Sequence, residues 1–209
     1  MNLNSGTYMV TYTVVMGIAV SLLLTGAGQF ATPRRHANEE AEKLLNVLSA
    51  LGVPVDAKAG PAELKALFAR DVKEAPTASG GVRYLYQPQG AGQPLAAAIP
   101  FEGPGLWGPV KGFLALEPDG DTVRGITFYQ QEETPGLGGE IASPAFRAQF
   151  AGKRIRAGGG QPALRIRPPG TASAANEVDG LTGATMTCRK VEAMLNTAIA
   201  NLDPAEAQP

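Results

Sequence analysis

From Thr7 to Phe30 the chain carries no charged side chain, and few folds accommodate such a run. A helix crossing the hydrocarbon of a bilayer needs about 20 consecutive, largely apolar residues. Tyr8 to Leu24 meets that requirement and continues through Gly26 and Ala27. The run is too long, and too apolar on every side, for a core helix of a soluble domain. Tyr8 and Tyr12 stand near one end, where aromatic rings anchor at a membrane interface. A cleaved signal peptide would need a basic leading region, and no Lys or Arg precedes Arg34. The expected organisation therefore starts with a short tail, 1–6, and one retained transmembrane helix, 7–30. Arg34 and Arg35 follow the span, and the positive-inside rule draws what comes after them toward the cytoplasm.

The remaining length suits one compact domain with a sizeable core. A net charge of −1 and the lack of any long Lys/Arg run argue against a nucleic-acid partner. The single cysteine, Cys188, excludes an intrachain disulfide and any cysteine-clustered metal or iron–sulfur site. The single histidine, His36, excludes a histidine-pair metal site and most histidine-based catalysis. No metal site is expected. Redox chemistry in such a chain needs an organic cofactor.

After Pro33, Ala41, Leu44, Leu45, Leu48 and Leu51 recur at helical spacing between charged residues, until Gly52 and Pro54 end the pattern. This helix either continues the span as a stalk or packs on the domain. Pro61, Leu64, Leu67 and Phe68 predict a second short helix, and Ala75 to Gly81 a loop. The period then changes. Val82–Tyr86 and Leu95–Ile99 read as strands, with a turn at Gly90–Gln93. Val110–Glu117 and Thr122–Gln130 flank Pro118-Asp119-Gly120-Asp121 and predict an antiparallel hairpin. Leu164–Arg167 is a short strand, while Ala157–Gly160 and Pro168–Ala175 are loops. A last helix starts near Thr187, with Val191, Met194, Leu195, Ala198, Ile199 and Leu202 on one face, and Asp203-Pro204 stops it. The fold class is α+β: an antiparallel sheet with packed helices, preceded by one N-terminal transmembrane helix. The boundaries are 31–75 for a helical stalk or connector, 76–203 for the domain and 204–209 for a C-terminal tail.

Two segments carry the chemistry. Asp179-Gly180-Leu181-Thr182-Gly183-Ala184-Thr185 is Gly-broken, rich in hydroxyls, and opens onto the last helix. A helix start gathers free N–H groups and partial positive charge, which suits a phosphate. The competing reading is a helix start capped by a hydroxyl. Glu132-Glu133-Thr134-Pro135-Gly136-Leu137-Gly138-Gly139-Glu140 follows the hairpin. Its three glycines in four positions let backbone approach a flat ligand. Its acidic residues would repel a bare phosphate, which assigns this loop to a neutral ring system. Gly105-Leu106-Trp107-Gly108 holds the only tryptophan, which either lines a ring pocket or packs in the core. Lys111 and Arg124 are cations within possible reach of a phosphate. Cys188 has no partner thiol and is read as packing.

Taken together these motifs resemble the C subunit of the sodium-translocating NADH:quinone oxidoreductase. The resemblance rests on Gly105-Leu106-Trp107, Ala115-Leu116-Glu117, Gly125–Tyr129, Glu133–Glu140 and Asp179–Thr185, together with the N-terminal helix. The G subunit of the related Rnf complex, which belongs to a ferredoxin:NAD oxidoreductase, shares two of these motifs. It usually lacks the Gly-Leu-Trp element and the Gly-Gly-Glu ending.

The resemblance implies FMN held by a phosphoester to Thr185, with Asp179, Leu181, Thr182, Gly183 and Ala184 completing the attachment segment. Thr182 stands where the family usually has Ser and keeps the hydroxyl. It implies Thr134, Gly136, Leu137 and Gly138 beside the isoalloxazine, with Leu106 and Trp107 on a nearby wall. It also implies partners: the other subunits of a membrane redox pump, and a flavin transferase that makes the bond from FAD. The implied role is electron transfer within a complex that oxidises NADH, reduces ubiquinone and moves sodium. The chain is not catalytic alone and has no acid, base or nucleophile for turnover. The implied location is the bacterial inner membrane, with the flavin domain on the periplasmic side, against the weak pull of Arg34 and Arg35. A reading from another class is a membrane-anchored binding or assembly module without cofactor.

Overall fold

A computed structural model describes residues 6–56, 59–77, 79–156 and 163–202. The first helix, α1 (Gly6–Ala50), runs through Pro33 as one element, so the helix after Pro33 continues the apolar run. By contact density the chain divides into two units, Met1–Glu40 and Ala41–Pro209. In the first unit, Gly6–Gly26 is long and apolar enough to cross a membrane, and its apolar side chains stand exposed. The expected tails and the Ala157–Gly160 loop fall outside the described residues, except for Gly6, as do the side chains of Arg34 and Arg35.

The second unit is built on a five-stranded antiparallel sheet. Its strands are β1 (Val72–Pro76), β2 (Val82–Tyr86), β3 (Ala96–Pro104), β4 (Pro109–Leu116) and β5 (Val123–Gln130), in spatial order of sequence. The sequence reading overlooked β1, placing part of it in a loop. It is short and charged, and it exists because it pairs with β2, Val72 opposite Tyr86. Helix α2 (Pro61–Asp71) leads into it. The hairpin predicted around Asp119 joins β4 to β5.

Both faces of this sheet are covered, because alternate residues of a strand point to opposite sides. Ile99 and Phe101 of β3, Val110 and Leu114 of β4, and Ile126 and Phe128 of β5 share one cluster with Val191, Leu195 and Ile199. Those last three lie on the C-terminal helix α4 (Thr185–Ala200). Phe146 and Phe150 join them, the former on the short helix α3 (Pro144–Ala148). The intervening residues Ala96, Ala98, Phe113 and Ala115 form a second cluster with Val47, Leu48 and Leu51 at the end of α1. The end of the first helix thus packs on the domain. A separate parallel pair, β6 (Arg165–Arg167) and β7 (Glu177–Asp179), brackets the loop between them.

Two details tie the end of α1 to the sheet. A side chain at Gly125 would lie 2.6 Å from the carbonyl oxygen of Ala50, so glycine admits the helix end against β5. Beside it, Arg124 Nε donates to the carbonyl of Leu51 at 2.7 Å, and the Thr127 hydroxyl donates to that of Asn46 at 3.0 Å. These bonds fasten the last turns of α1 and the residue that follows it to β5. Gly125→Val should therefore destabilise the domain by about 1–3 kcal/mol, the cost of overpacking a filled site. A lower thermal midpoint relative to wild type is the expected result.

Candidate functional site

Three segments meet at one end of the sheet. The first is the tip of the β3–β4 hairpin, Gly105–Gly108, closed by Gly105 N–H donating to Gly108 O at 2.8 Å. The second is the loop after β5, which turns around the carbonyl of Thr134. That oxygen accepts from Leu137 N–H at 3.1 Å and from Gly139 N–H at 3.0 Å. Gly136 supplies the left-handed residue of this turn, at φ +75°. A 3-10 helix, Gly138–Ala142, continues from it. The third segment is Asp179–Thr187, the entry to α4.

One side chain links all three. The Glu133 carboxylate is buried. Its Oε1 accepts from Leu106 N–H at 2.6 Å and Trp107 N–H at 3.2 Å, and its Oε2 accepts from the Thr187 hydroxyl at 2.5 Å. The surrounding glycines follow from this arrangement. A Cβ on Gly138 would lie 2.7 Å from Glu133 Oε2 and 2.7 Å from Thr187 Oγ1, and one on Gly105 would collide with Oε1. Sequence reasoning set Glu133 facing a ligand as a repulsive charge. It instead faces inward, because three donors offset the cost of its burial. Thr187 was missed as a partner, since 54 positions separate it from Glu133 and nothing local marks the pair.

The walls are open. Trp107 is 71% exposed, so it is not core packing, and Leu106, Leu137 and Met186 are also exposed. A cavity of about 610 Å³ is lined by the hairpin tip, including Leu106, Trp107 and Lys111. Lys111 lies 3.7 Å from Glu102 across the β3–β4 ladder. Arg124, the other cation considered from sequence, is occupied at Leu51 O and Glu117.

The entry to α4 is not capped by a hydroxyl. Its N-cap position is Ala184, without any side-chain cap. The first bond of the helix runs from Cys188 N–H to Ala184 O at 3.0 Å, so the N–H groups of Thr185, Met186 and Thr187 lie at the open end. Thr185 and Thr182 are exposed, and Ala184 is buried. Gly183 takes φ +77°, and a Cβ there would lie 2.9 Å from Leu137 Cδ2. The two predicted loops therefore touch at Gly183 and Leu137.

Thr185 also borders a second cavity, of about 280 Å³, with Leu181, Cys188, Arg165, Arg167 and Arg189 among its lining residues. These arginines were not singled out from sequence, because β6 and the early turns of α4 converge only in the fold. Burial pushes the Cys188 thiol above its ordinary range, against the opposing contact from Leu181 N–H. A neutral, inert thiol results.

Asp179 braces the segment that leads into α4. Its Oδ1 accepts from Thr171 N–H and Ala172 N–H, both at 2.9 Å, and Gln149 exchanges two hydrogen bonds with its backbone. Glu177 does the same for the rest of that loop, accepting from Ser173 N–H, Ala174 N–H and Arg167 Nε. The two backbone donors, with Arg167 adding to them, hold its carboxyl below the usual range despite burial.

The model of the FMN-binding domain family matches residues 105–200, the stretch that holds both glycine-rich loops and the open helix start. The chain is 30% identical to the C subunit of the Na(+)-translocating NADH-quinone reductase of Pasteurella multocida, over 85% of its own length and 84% of that protein. It belongs to the family of these C subunits. Against the C subunit of Yersinia pestis it is 47% identical, over 54% of this chain and 42% of that one. The chain thus spans under half of some of the relatives it matches. The crystal structure of the C subunit from Parabacteroides distasonis superposes with a TM-score of 0.66 at 26% identity, covering 81% of this chain and 92% of that one. Shewanella oneidensis NqrC, with a TM-score of 0.68 at 23% identity over 78% and 93%, shares the fold.

The lowered Glu177 carboxyl makes a prediction about pH. Its stabilisation is present above the ordinary carboxylate range, about pH 4.3 for Glu, and is lost as pH falls through its lower folded value. Glu177→Gln should lose stability at neutral pH and show a flatter decline between pH 5 and 3 than wild type, roughly the carboxylate window. Urea midpoints across that range test this.

Proposed function

We propose that this chain is the FMN-carrying, electron-transferring subunit of a sodium-translocating NADH:quinone reductase, with the flavin esterified through its phosphate to Thr185. The single observation that carries the attachment is the state of Thr185. It is an exposed hydroxyl on the first residue of a long helix whose leading N–H groups are open, at the end of the Asp179–Thr185 segment. Open N–H groups and the helix dipole favour a phosphate at that position.

The residues present fit the group. Gly183, in a conformation that L side chains avoid, brings the attachment segment against Leu137. Thr182, Gly183 and Ala184 would border the phosphate, and Arg189 of the adjoining cavity would face its charge. Thr134, Gly136, Leu137 and Gly138 would border the ring from one side, and Leu106 and Trp107 from another. Leu181 and Asp179 hold the segment in place, the first through Cys188 and the second through the Thr171–Ala172 turn.

The flavin, when bound, supplies the electron chemistry. The protein anchors the phosphate, excludes water from the faces that Leu106 and Leu137 cover, and leaves an exposed edge for exchange with neighbouring subunits. No acid, base or nucleophile from the chain is required. A covalent bond keeps the cofactor at this exposed location, where non-covalent burial would be slight. A flavin transferase forms that bond during maturation, and the other subunits of the pump supply and remove electrons, from NADH and toward ubiquinone.

Gly6–Gly26 anchors the chain as a single helix in the bacterial inner membrane, with the flavin domain in the periplasm. Flavin attachment after export is consistent with that side. The charge bias of Arg34 and Arg35 is weak enough for neighbouring helices to override.

The intact mass of the native chain should exceed that of the polypeptide by FMN minus water, and flavin fluorescence should stay with the denatured chain. Thr185→Val should abolish the adduct while the thermal midpoint of the domain remains near that of the flavin-free wild type. Flavin retained on Thr185→Val would place the bond elsewhere. Protease added to intact spheroplasts should digest the domain, and protection there would reverse the orientation.

A further inference from the structure

We infer that Glu133 is a positioning residue for the flavin, which fixes the two ring walls and the start of α4 relative to one another and keeps a buried negative charge behind them. The inference rests on the FMN reading above. Glu133 precedes Thr134 directly and is 4% exposed. Among the described residues its carboxylate hydrogen bonds go to groups of the site. Leu106 and Trp107 N–H bind Oε1, and the Thr187 hydroxyl, two residues after Thr185, binds Oε2.

The geometry is over-determined. Glu133 N–H itself donates to Gln131 Oε1 at 2.7 Å, which fixes the backbone from which the carboxylate reaches. Gly105 and Gly138 leave the space that the carboxylate occupies, since a Cβ on either would overlap it. At the neighbouring Gly108 a Cβ would lie 2.5 Å from Glu132 Oε2, so the second acid of the pair closes over the outside of the same hairpin tip. Trp107, 71% exposed, has little packing to hold it. The bond from its N–H and that of Leu106 to Glu133 is what orders this tip against the loop of Thr134.

Position and charge separate experimentally. Glutamine is isosteric. Its carbonyl oxygen can accept from Leu106 and Trp107, and its amide can donate to Thr187 Oγ1, which then acts as acceptor. Glu133→Gln therefore keeps the arrangement and removes the charge. A nearby buried negative charge opposes the addition of electrons to the ring, because little solvent screens it. Its removal makes the flavin easier to reduce.

The test uses the full chain in detergent. Hydrogen exchange read on the peptide containing Leu106 and Trp107, in the flavin-free protein, should accelerate about tenfold or more in Glu133→Ala, as loss of hydrogen bonds to a charged group requires. In Glu133→Gln it should stay near the wild-type rate. On flavin-loaded chain, Glu133→Gln should shift the midpoint potential to a less negative value. Unchanged exchange in Glu133→Ala would overturn the positioning role, and an unmoved potential in Glu133→Gln would overturn the role of the charge. Should Glu133→Ala not fold, Glu133→Asp, whose shorter side chain draws the carboxylate back from Leu106 and Trp107, takes its place, and unchanged exchange there would overturn the positioning role. Wild-type chain without flavin would instead remove the FMN reading, while the exchange comparison would still decide whether Glu133 orders the tip.

Discussion

The site depends on one buried carboxylate and the three donors that satisfy it. A carboxylate removed from water without partners is strongly unfavourable, and it stays charged in a protein interior only when its oxygens are occupied. Glu133 meets that condition by drawing two backbone N–H groups from one loop and a hydroxyl from a helix. Moving the hairpin tip away would take two of those donors from it, and moving the α4 entry away would take the third. Three pieces of chain far apart in sequence are thereby held in one arrangement, and the glycines around them are the space that arrangement needs.

The rest of the domain makes this end available. The sheet is covered on both faces, by α4 and α3 on one side and by the end of α1 on the other. Its ends are therefore where loops can form an open site. Helix α4 serves both requirements. Val191, Leu195 and Ile199 bury it against the sheet, and this packing fixes the direction of its axis. Its N-terminus is left pointing away from the core, with an alanine at the cap position and no side chain competing for its N–H groups. In the proposed function that open helix start is the phosphate site. An Asp or Ser cap would stabilise the helix by about 1 kcal/mol and occupy the donors that the ligand uses.

Much of this was legible in the sequence. The uncharged run before Phe30, the alternation in β3 to β5, the turn at Asp119 and the apolar face of α4 are local patterns, and local patterns report periodicity directly. The Asp179–Thr185 segment at the start of α4 was legible for the same reason, being contiguous. Of the two readings of the lone tryptophan, the structure removes core packing, which the sequence could not do because exposure is a property of what surrounds a residue. The charged strand β1 was not legible, since its pairing with β2 is its only reason to be extended.

The sequence by itself determined the fold class, the long apolar N-terminal helix, the family and the residues that each loop carries, because each depends on spacing along the chain. Tertiary structure decided which of those residues touch. It turned Glu133 from a charge facing a ligand into the inward partner of Leu106, Trp107 and Thr187. It gave Arg124 to the end of α1, and it brought Arg165, Arg167 and Arg189 to the cavity beside Thr185. The physical reason is that burial and hydrogen-bond pairing are set by neighbours in space, and the donors to Glu133 stand 26, 27 and 54 positions away.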